Sequence, residues 1–121
     1  MEQFQQRFPT VISTRYSVVV RSIAVIALNS NFSQLSDEEI SQQDHWYRDQ
    51  LSHFENDSSI RSIIVLSHHS PYTNSTIVDP SEDVQRHFLV PFFQSVKTKI
   101  YLSGHAHAYE HFQKSGKEFL V

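Results

Sequence analysis

The chain has 121 residues with 10 Lys and Arg against 13 Asp and Glu, a formal net charge of -3, and no cysteine. This length fits one domain, and the weak negative charge gives no electrostatic case for nucleic acid or an anionic membrane surface as a partner. The lack of cysteine excludes disulfides, thiolate metal sites and a cysteine nucleophile, and leaves the compartment open. The apolar runs are too short to span a bilayer.

The N-terminal part of the chain predicts an irregular segment followed by two strands. Residues 1–15 have neither helical nor strand periodicity, so we interpret them as an irregular lead-in. Residues 16–21 and 23–28 are rich in Val and Ile, which favours strands. Arg21-Ser22 between them indicates a tight or bulged connection.

The next segment predicts a long amphipathic helix. Ser36 and Glu39 have the spacing of a capping box, which indicates a helix over residues 37–56. One apolar stripe runs along it, formed by Ile40, Tyr47, Leu51 and Phe54. His45 and His53 lie off that stripe, so we interpret both as solvated surface residues.

The second half of the chain predicts alternating strands and helix. Residues 62–67 contain a continuous apolar run, which is typical of a strand covered on both faces. A loop over residues 70–80, a helix over 82–97, and strands over 99–103 and 117–121 follow. Pro91 must kink or restart that helix, and Lys114 to Lys117 has the composition of a hairpin turn.

Histidines are concentrated after the two clearest buried strands. Five of the eight occur there, at positions 68, 69, 105, 107 and 111. Gly104 precedes His105, and we interpret it as the residue that permits the turn. An isolated His-x-His would most simply bond backbone carbonyls, but imidazole is a common metal ligand and ligands collect outside the carboxyl ends of strands. The two strand ends together therefore predict a metal site.

These residues carry a family resemblance. Gly104 to His107 after an apolar strand, with Tyr109-Glu110 behind, and Val65 to His68 running into Pro71 to Ser75 resemble the last two motifs of calcineurin-like metallophosphoesterases. The purple-acid-phosphatase-like branch is the most similar. The resemblance implies an α/β fold, in which a mixed sheet flanked by helices forms part of a two-layer β-sandwich. It also implies hydrolysis of a phosphate ester at two metal ions, whether iron, zinc or manganese.

The resemblance assigns roles to single residues. His68 and His105 match ligands of one metal ion, and His107 matches a ligand of the other. His69 follows a ligand, and because adjacent side chains on an extended segment diverge, we interpret it as a neighbour of the site, with a substrate contact as the alternative. Asn74 and His111 match nothing in the motifs and are interpreted as loop residues. No catalytic residue is assigned.

The family's earlier motifs are absent from the sequence. No Asp precedes Asp37, so an Asp-x-His motif and the bridging aspartate are not encoded before it. We therefore expect residues 1–121 to be the C-terminal part of a metallophosphoesterase domain, without its N-terminal half and final strands, that requires the N-terminal half and is inactive alone. Two alternatives stay open, namely a stand-alone non-catalytic metal-binding α/β module and a purely structural α/β fragment.

Overall fold

The structure, a computed structural model, describes residues 2–7 and 14–121. Its strands are β1 (Tyr16–Val20), β2 (Ile23–Ala27), β3 (Ser62–Leu66), β4 (Thr98–Leu102), β5 (His111–Lys114) and β6 (Lys117–Leu120). Its α-helices are α1 (Glu2–Arg7), α2 (Asp37–Asn56), α3 (Glu82–Val84) and α4 (Val90–Gln94). A π-helical segment, Gln85–Leu89, joins α3 to α4, and a short 3-10 turn covers Phe32–Gln34. None of the helices in these ranges is long and apolar enough to cross a membrane.

The six strands form one mixed sheet in the order β1-β2-β3-β4-β6-β5. Strands β2, β3, β4 and β6 run parallel to one another, whereas β1 and β5 pair antiparallel at the two edges. The chain is therefore an α/β protein with a mixed sheet, as the sequence predicted at this level. The parallel arrangement brings the carboxyl ends of β2, β3 and β4 to one edge of the sheet.

Local sequence signals account for the helices. The Ser36 hydroxyl accepts the backbone N–H of Glu39, and the Glu39 carboxylate accepts the N–H of Ser36, so the predicted capping box is present. Pro91 lies in the first turn of α4, directly after the π-helical segment, which agrees with the predicted restart. His45 and His53 are exposed on α2, as expected.

The core lies between one face of the sheet and the helices. Alternating strand residues, among them Ile26, Val65 and Tyr101, are buried against α2 residues such as Tyr47. The prediction that residues 62–67 are covered on both faces is wrong for the described ranges, because Ile63 and Val65 are buried while their neighbours Ile64 and Leu66 stay partly exposed. The buried residues of α2, α3 and α4 pack on the face that carries Ile63 and Val65.

The strands end within one residue of the predicted positions, and larger differences occur at the N-terminus, in the second helix and before the last strand. Residues 2–7 of the expected irregular lead-in form α1, while residues 1 and 8–13 of it lie outside the described residues. The predicted helix over 82–97 ends at Gln94, because Ser95 adopts an extended conformation. The predicted hairpin turn is present, with positive φ at both Ser115 and Gly116 as in a type I′ turn. The residues before this turn form β5, a strand that the sequence analysis did not predict.

Candidate metal centre

The segments that follow β3 and β4 are tied together by their backbones. The Ser67 N–H donates to the Leu102 carbonyl at 3.1 Å, and the Gly104 N–H donates to the His68 carbonyl at 2.9 Å. The Ser70 hydroxyl donates to the Gly104 carbonyl at 2.9 Å. These bonds fix the two histidine-bearing segments side by side at the carboxyl edge of the sheet.

The imidazoles of His68 and His105 meet at this edge. His68 Nε2 lies 3.0 Å from His105 Nδ1, and the ring centroids are 4.9 Å apart. Two ligands that each lie about 2 Å from a zinc ion can be separated by roughly 4 Å at most. The pair therefore fits a shared ion, and the structure brings together these two predicted site residues.

Gly104 does not have the role that the sequence analysis gave it. In the described segment between β4 and β5, the positive φ angles belong to His105 (69°) and His107 (53°), not to Gly104. A Cβ added at Gly104 would find the His68 carbonyl oxygen at 3.8 Å, an ordinary contact. The interpretation of Gly104 as the turn-permitting residue is therefore wrong, because the left-handed backbone falls on the histidines themselves.

Three further residues named from the sequence are His107, Asn74 and His111. His107 is exposed and does not belong to the histidine group described below, so its role as a ligand stays a prediction. Asn74 is an exposed loop residue, as expected. His111 is not in a loop: it begins β5, and its imidazole bonds the Glu118 carboxylate across the hairpin.

His69 joins the pair, which the sequence analysis did not predict. The ligand atoms of His68, His69 and His105, here called the histidine group, all lie within 4.8 Å of one another. The expected divergence of His68 and His69 is wrong because β3 ends at Leu66 and the backbone bends at both histidines. Burial is the largest cause that lowers the pKa of His69, and the neighbouring His105 and His68 lower it further. The hydrogen bond with Ser30 acts to raise this pKa. A neutral imidazole is the form that binds metal.

Ser30, after the end of β2, holds His69 in place. Its hydroxyl accepts the His69 backbone N–H at 2.9 Å and also lies 2.9 Å from His69 Nδ1. Ser30 itself is buried. Nothing in the sequence around Ser30 signalled this contact, which joins positions 39 residues apart.

The backbone before Ser30 is fixed by a buried amide. The Gln43 side chain, 1% exposed, accepts the Asn29 N–H at 2.8 Å and donates to the Asn29 carbonyl at 2.9 Å. Gln43 belongs to α2, so the helix holds the loop that carries Ser30. Both polar groups of this buried side chain are therefore hydrogen-bonded to the backbone of one residue, as buried polar groups generally require.

Glu110 ties the loop after β3 to the loop after β4. Its carboxylate accepts the Thr73 hydroxyl at 2.6 Å and the Asn74 backbone N–H at 2.8 Å. Its own backbone pairs with Val121 in both directions. Glu110 thus anchors the segment that follows His68 and His69 against the segment that follows His105.

Two cavities bear on the location of the site. One, of about 570 Å³, is lined by His68 and His69 together with Thr14 and residues 28–31, and so adjoins the histidine group. A larger one, of about 660 Å³, lies between α2 and the π-helical segment. In it His87 Nδ1 lies 2.7 Å from an Asp44 oxygen and the ring stacks on Phe32. We interpret that pair as a link between two helices.

Comparisons with known proteins give information on the fold. No family model matches the sequence, and no curated protein matches it. Among solved structures, the chain is similar to GAP50, the anchor in the inner membrane complex of Plasmodium, with a TM-score of 0.69 and 17% sequence identity. The match covers 88% of this chain and 35% of that chain, so this chain spans about a third of its length. At this identity the likeness shows a shared fold alone.

Proposed function

We propose that this chain is the C-terminal part of a calcineurin-like metallophosphoesterase domain that hydrolyses phosphate esters. The observation that carries the proposal is the 3.0 Å approach of His68 Nε2 to His105 Nδ1 at the carboxyl ends of adjacent parallel strands. That edge of an α/β sheet is where such folds place their ligands. The two motifs that resemble the family contain these same histidines.

In this proposal the histidines of the chain bind two ions. His68 and His105 bind one ion, and His107 binds the other. Bound divalent ions supply a Lewis acid and an acidified water, which phosphate ester hydrolysis requires. The N-terminal half of the domain would supply the remaining ligands, including the bridging carboxylate. The cavity beside His68 and His69 would receive the substrate.

The test uses a longer protein in which upstream sequence supplies an Asp-x-His and a Gly-Asn-His-(Asp/Glu) motif. His105→Ala and His107→Ala should each lower metal content and aryl phosphatase activity together. Loss of residues that merely orient a ligand commonly costs about 10- to 100-fold, so loss of a ligand should cost at least about that much. His45→Ala and His53→Ala, on the exposed side of α2, are the matched controls and should stay within about twofold.

The 121-residue chain alone should show no turnover, because the bridging aspartate is not encoded in it. Metal-dependent hydrolysis by this chain, abolished by His105→Ala, would contradict the view that the site is incomplete. Activity of the longer protein that is indifferent to His105→Ala would contradict the proposed function itself.

A non-catalytic metal-binding module is the second candidate. It is favoured by the composition of the histidine group, which contains three imidazoles and no carboxylate. Metal binding by the chain, combined with no phosphatase activity in any longer form, would support this candidate over the first.

A further inference from the structure

A third imidazole, that of His69, lies beside the position where His68 and His105 would bind an ion. The His69 ring centroid lies 4.9 Å from that of His68 and 4.7 Å from that of His105. The ligand atoms of all three lie within 4.8 Å of one another, so a side-chain adjustment of about 1 Å would bring them within the roughly 4 Å that a shared ion allows. Three protein ligands with a fourth position left for water is the usual arrangement of a catalytic zinc site.

The Ser30 contact gives His69 an orientation suited to ligation. Metal-binding histidines generally use the second ring nitrogen to bond a fixed acceptor, which sets the tautomer. The Ser30 oxygen has two lone pairs, so it can accept both the His69 backbone N–H and the Nδ1–H. In that tautomer Nε2 of His69 keeps its lone pair for a metal ion.

The His69 backbone is held at both of its polar groups. The Ser67 hydroxyl donates to the His69 carbonyl at 2.9 Å, while Ser30 accepts the N–H. Ser67 is itself bonded to the buried Tyr101 hydroxyl. Side chains whose backbone and ring are both fixed hold a ligand atom within the narrow range that metal binding needs.

We propose that His69 is a third ligand of the ion held by His68 and His105, and that Ser30 is its positioning residue. This inference deepens the proposed function, since it shares two ligands with it, but it does not depend on hydrolysis. It assigns the third position to His69 rather than to His107, which is exposed and, in the proposed function, serves the second ion.

The test is zinc titration of the 121-residue chain by calorimetry, with Co²⁺ as a spectroscopic replacement. His69→Ala should weaken zinc binding at least about 10-fold and remove the tetrahedral Co²⁺ absorption bands, and Ser30→Ala should weaken zinc binding about 10-fold. Ser30→Thr, which keeps the hydroxyl, should restore most of the affinity. His45→Ala and His53→Ala, both exposed on α2, are the controls and should change zinc affinity less than about twofold.

A second measurement needs no variant, and so stays decisive where a substitution prevents folding. Zinc added to the ¹⁵N-labelled chain should shift the ring nitrogens of His68, His69 and His105 and leave those of His53 in place. Zinc binding that survives His69→Ala but is lost in His107→Ala would overturn the proposal. So would unshifted His69 nitrogens or the absence of zinc binding.

The two proposals fail in different ways. If zinc is bound through His69 but the longer protein hydrolyses no phosphate ester, the proposed function fails and the His69 assignment stands. If the longer protein is active and unaffected by His69→Ala, the His69 assignment fails and the proposed function stands.

Discussion

The Glu110 carboxylate accepts the Thr73 hydroxyl at 2.6 Å, and this contact joins two loops whose positions differ by 37 residues. Its other oxygen accepts the Asn74 N–H. Glu110→Gln should break one of these bonds, because an amide has one acceptor oxygen where the carboxylate has two. We expect a loss of roughly 1.5 to 3 kcal/mol in the free energy of unfolding, as for hydrogen bonds to charged groups.

Urea denaturation measures this loss, and limited proteolysis should show faster cleavage within residues 71–80. Glu82→Gln, at an exposed carboxylate, is the control and should leave both measurements nearly unchanged. Equal effects of the two substitutions would refute the anchoring role of Glu110.

Gln43→Leu should destabilise the protein far more than Gln42→Leu. Gln43 is buried and bonds both backbone polar groups of Asn29, so leucine would leave a part-buried N–H and carbonyl without partners. Each unsatisfied group costs about 1 to 3 kcal/mol. Gln42 is exposed, and its amide only contacts the exposed Glu38. Comparison of the two variants by urea denaturation checks this, and a similar small loss in both would exclude the anchor.

Glu55 should make the folded state sensitive to acid. Burial acts to raise its pKa, but hydrogen bonds from Ser95, Lys97 and Val96 together lower it below the ordinary 4.5. A lowered carboxyl pKa stabilises the folded state above the unfolded value, and this contribution is lost as the pH falls through the folded value. Stability should therefore drop below about pH 4.5.

The pH profile of the free energy of unfolding tests this, with Glu55→Gln as the comparison. The variant should be less stable than the wild type at pH 7, and the difference should shrink as the pH falls below 4.5. A difference that stays constant between pH 7 and pH 3 would show that the Glu55 charge contributes nothing.

The two glycines should respond differently to alanine. Gly104 lacks a positive φ, and an added Cβ would make only an ordinary contact, so Gly104→Ala should be nearly neutral. Gly116 has a φ of 73°, so Gly116→Ala should cost about 1 kcal/mol through backbone strain. Thermal unfolding of both variants measures this. A large loss at Gly104 would restore the special role that the sequence first suggested for it.

The sheet face opposite the helices should make the isolated chain self-associate. Val18, Val20 and Ile23 are 46%, 62% and 39% exposed on or beside the edge strand β1. Exposed apolar patches beyond a few hundred Å² are rare on monomers. Light scattering after size exclusion should show aggregates that Val18→Lys with Val20→Lys reduces. Val96→Lys, exposed but outside the sheet, should not reduce them. A monodisperse, cooperatively unfolding monomer would instead favour a stand-alone module.

The sequence predicted what depends on local signals and regular geometry. The Ser36 and Glu39 spacing located the start of α2, and the rule that parallel strands share their carboxyl ends brought His68 and His105 together. It could not predict the Ser30 and Gln43 contacts, because single side-chain hydrogen bonds between distant segments have no periodic pattern. The approach of His69 to His68 and His105 depends on a backbone bend after β3, and the sequence around this bend did not predict it.

The parallel pairing of β3 with β4 also connects metal binding to folding. His68 and His105 are 37 positions apart, and only the assembled sheet brings them together, so an unfolded chain offers an ion no such pair. A ligand that binds the folded state alone stabilises it by about 2.7 kcal/mol at a concentration 100 times its dissociation constant. An ion bound across these strand ends would thus have to dissociate before β3 and β4 could separate.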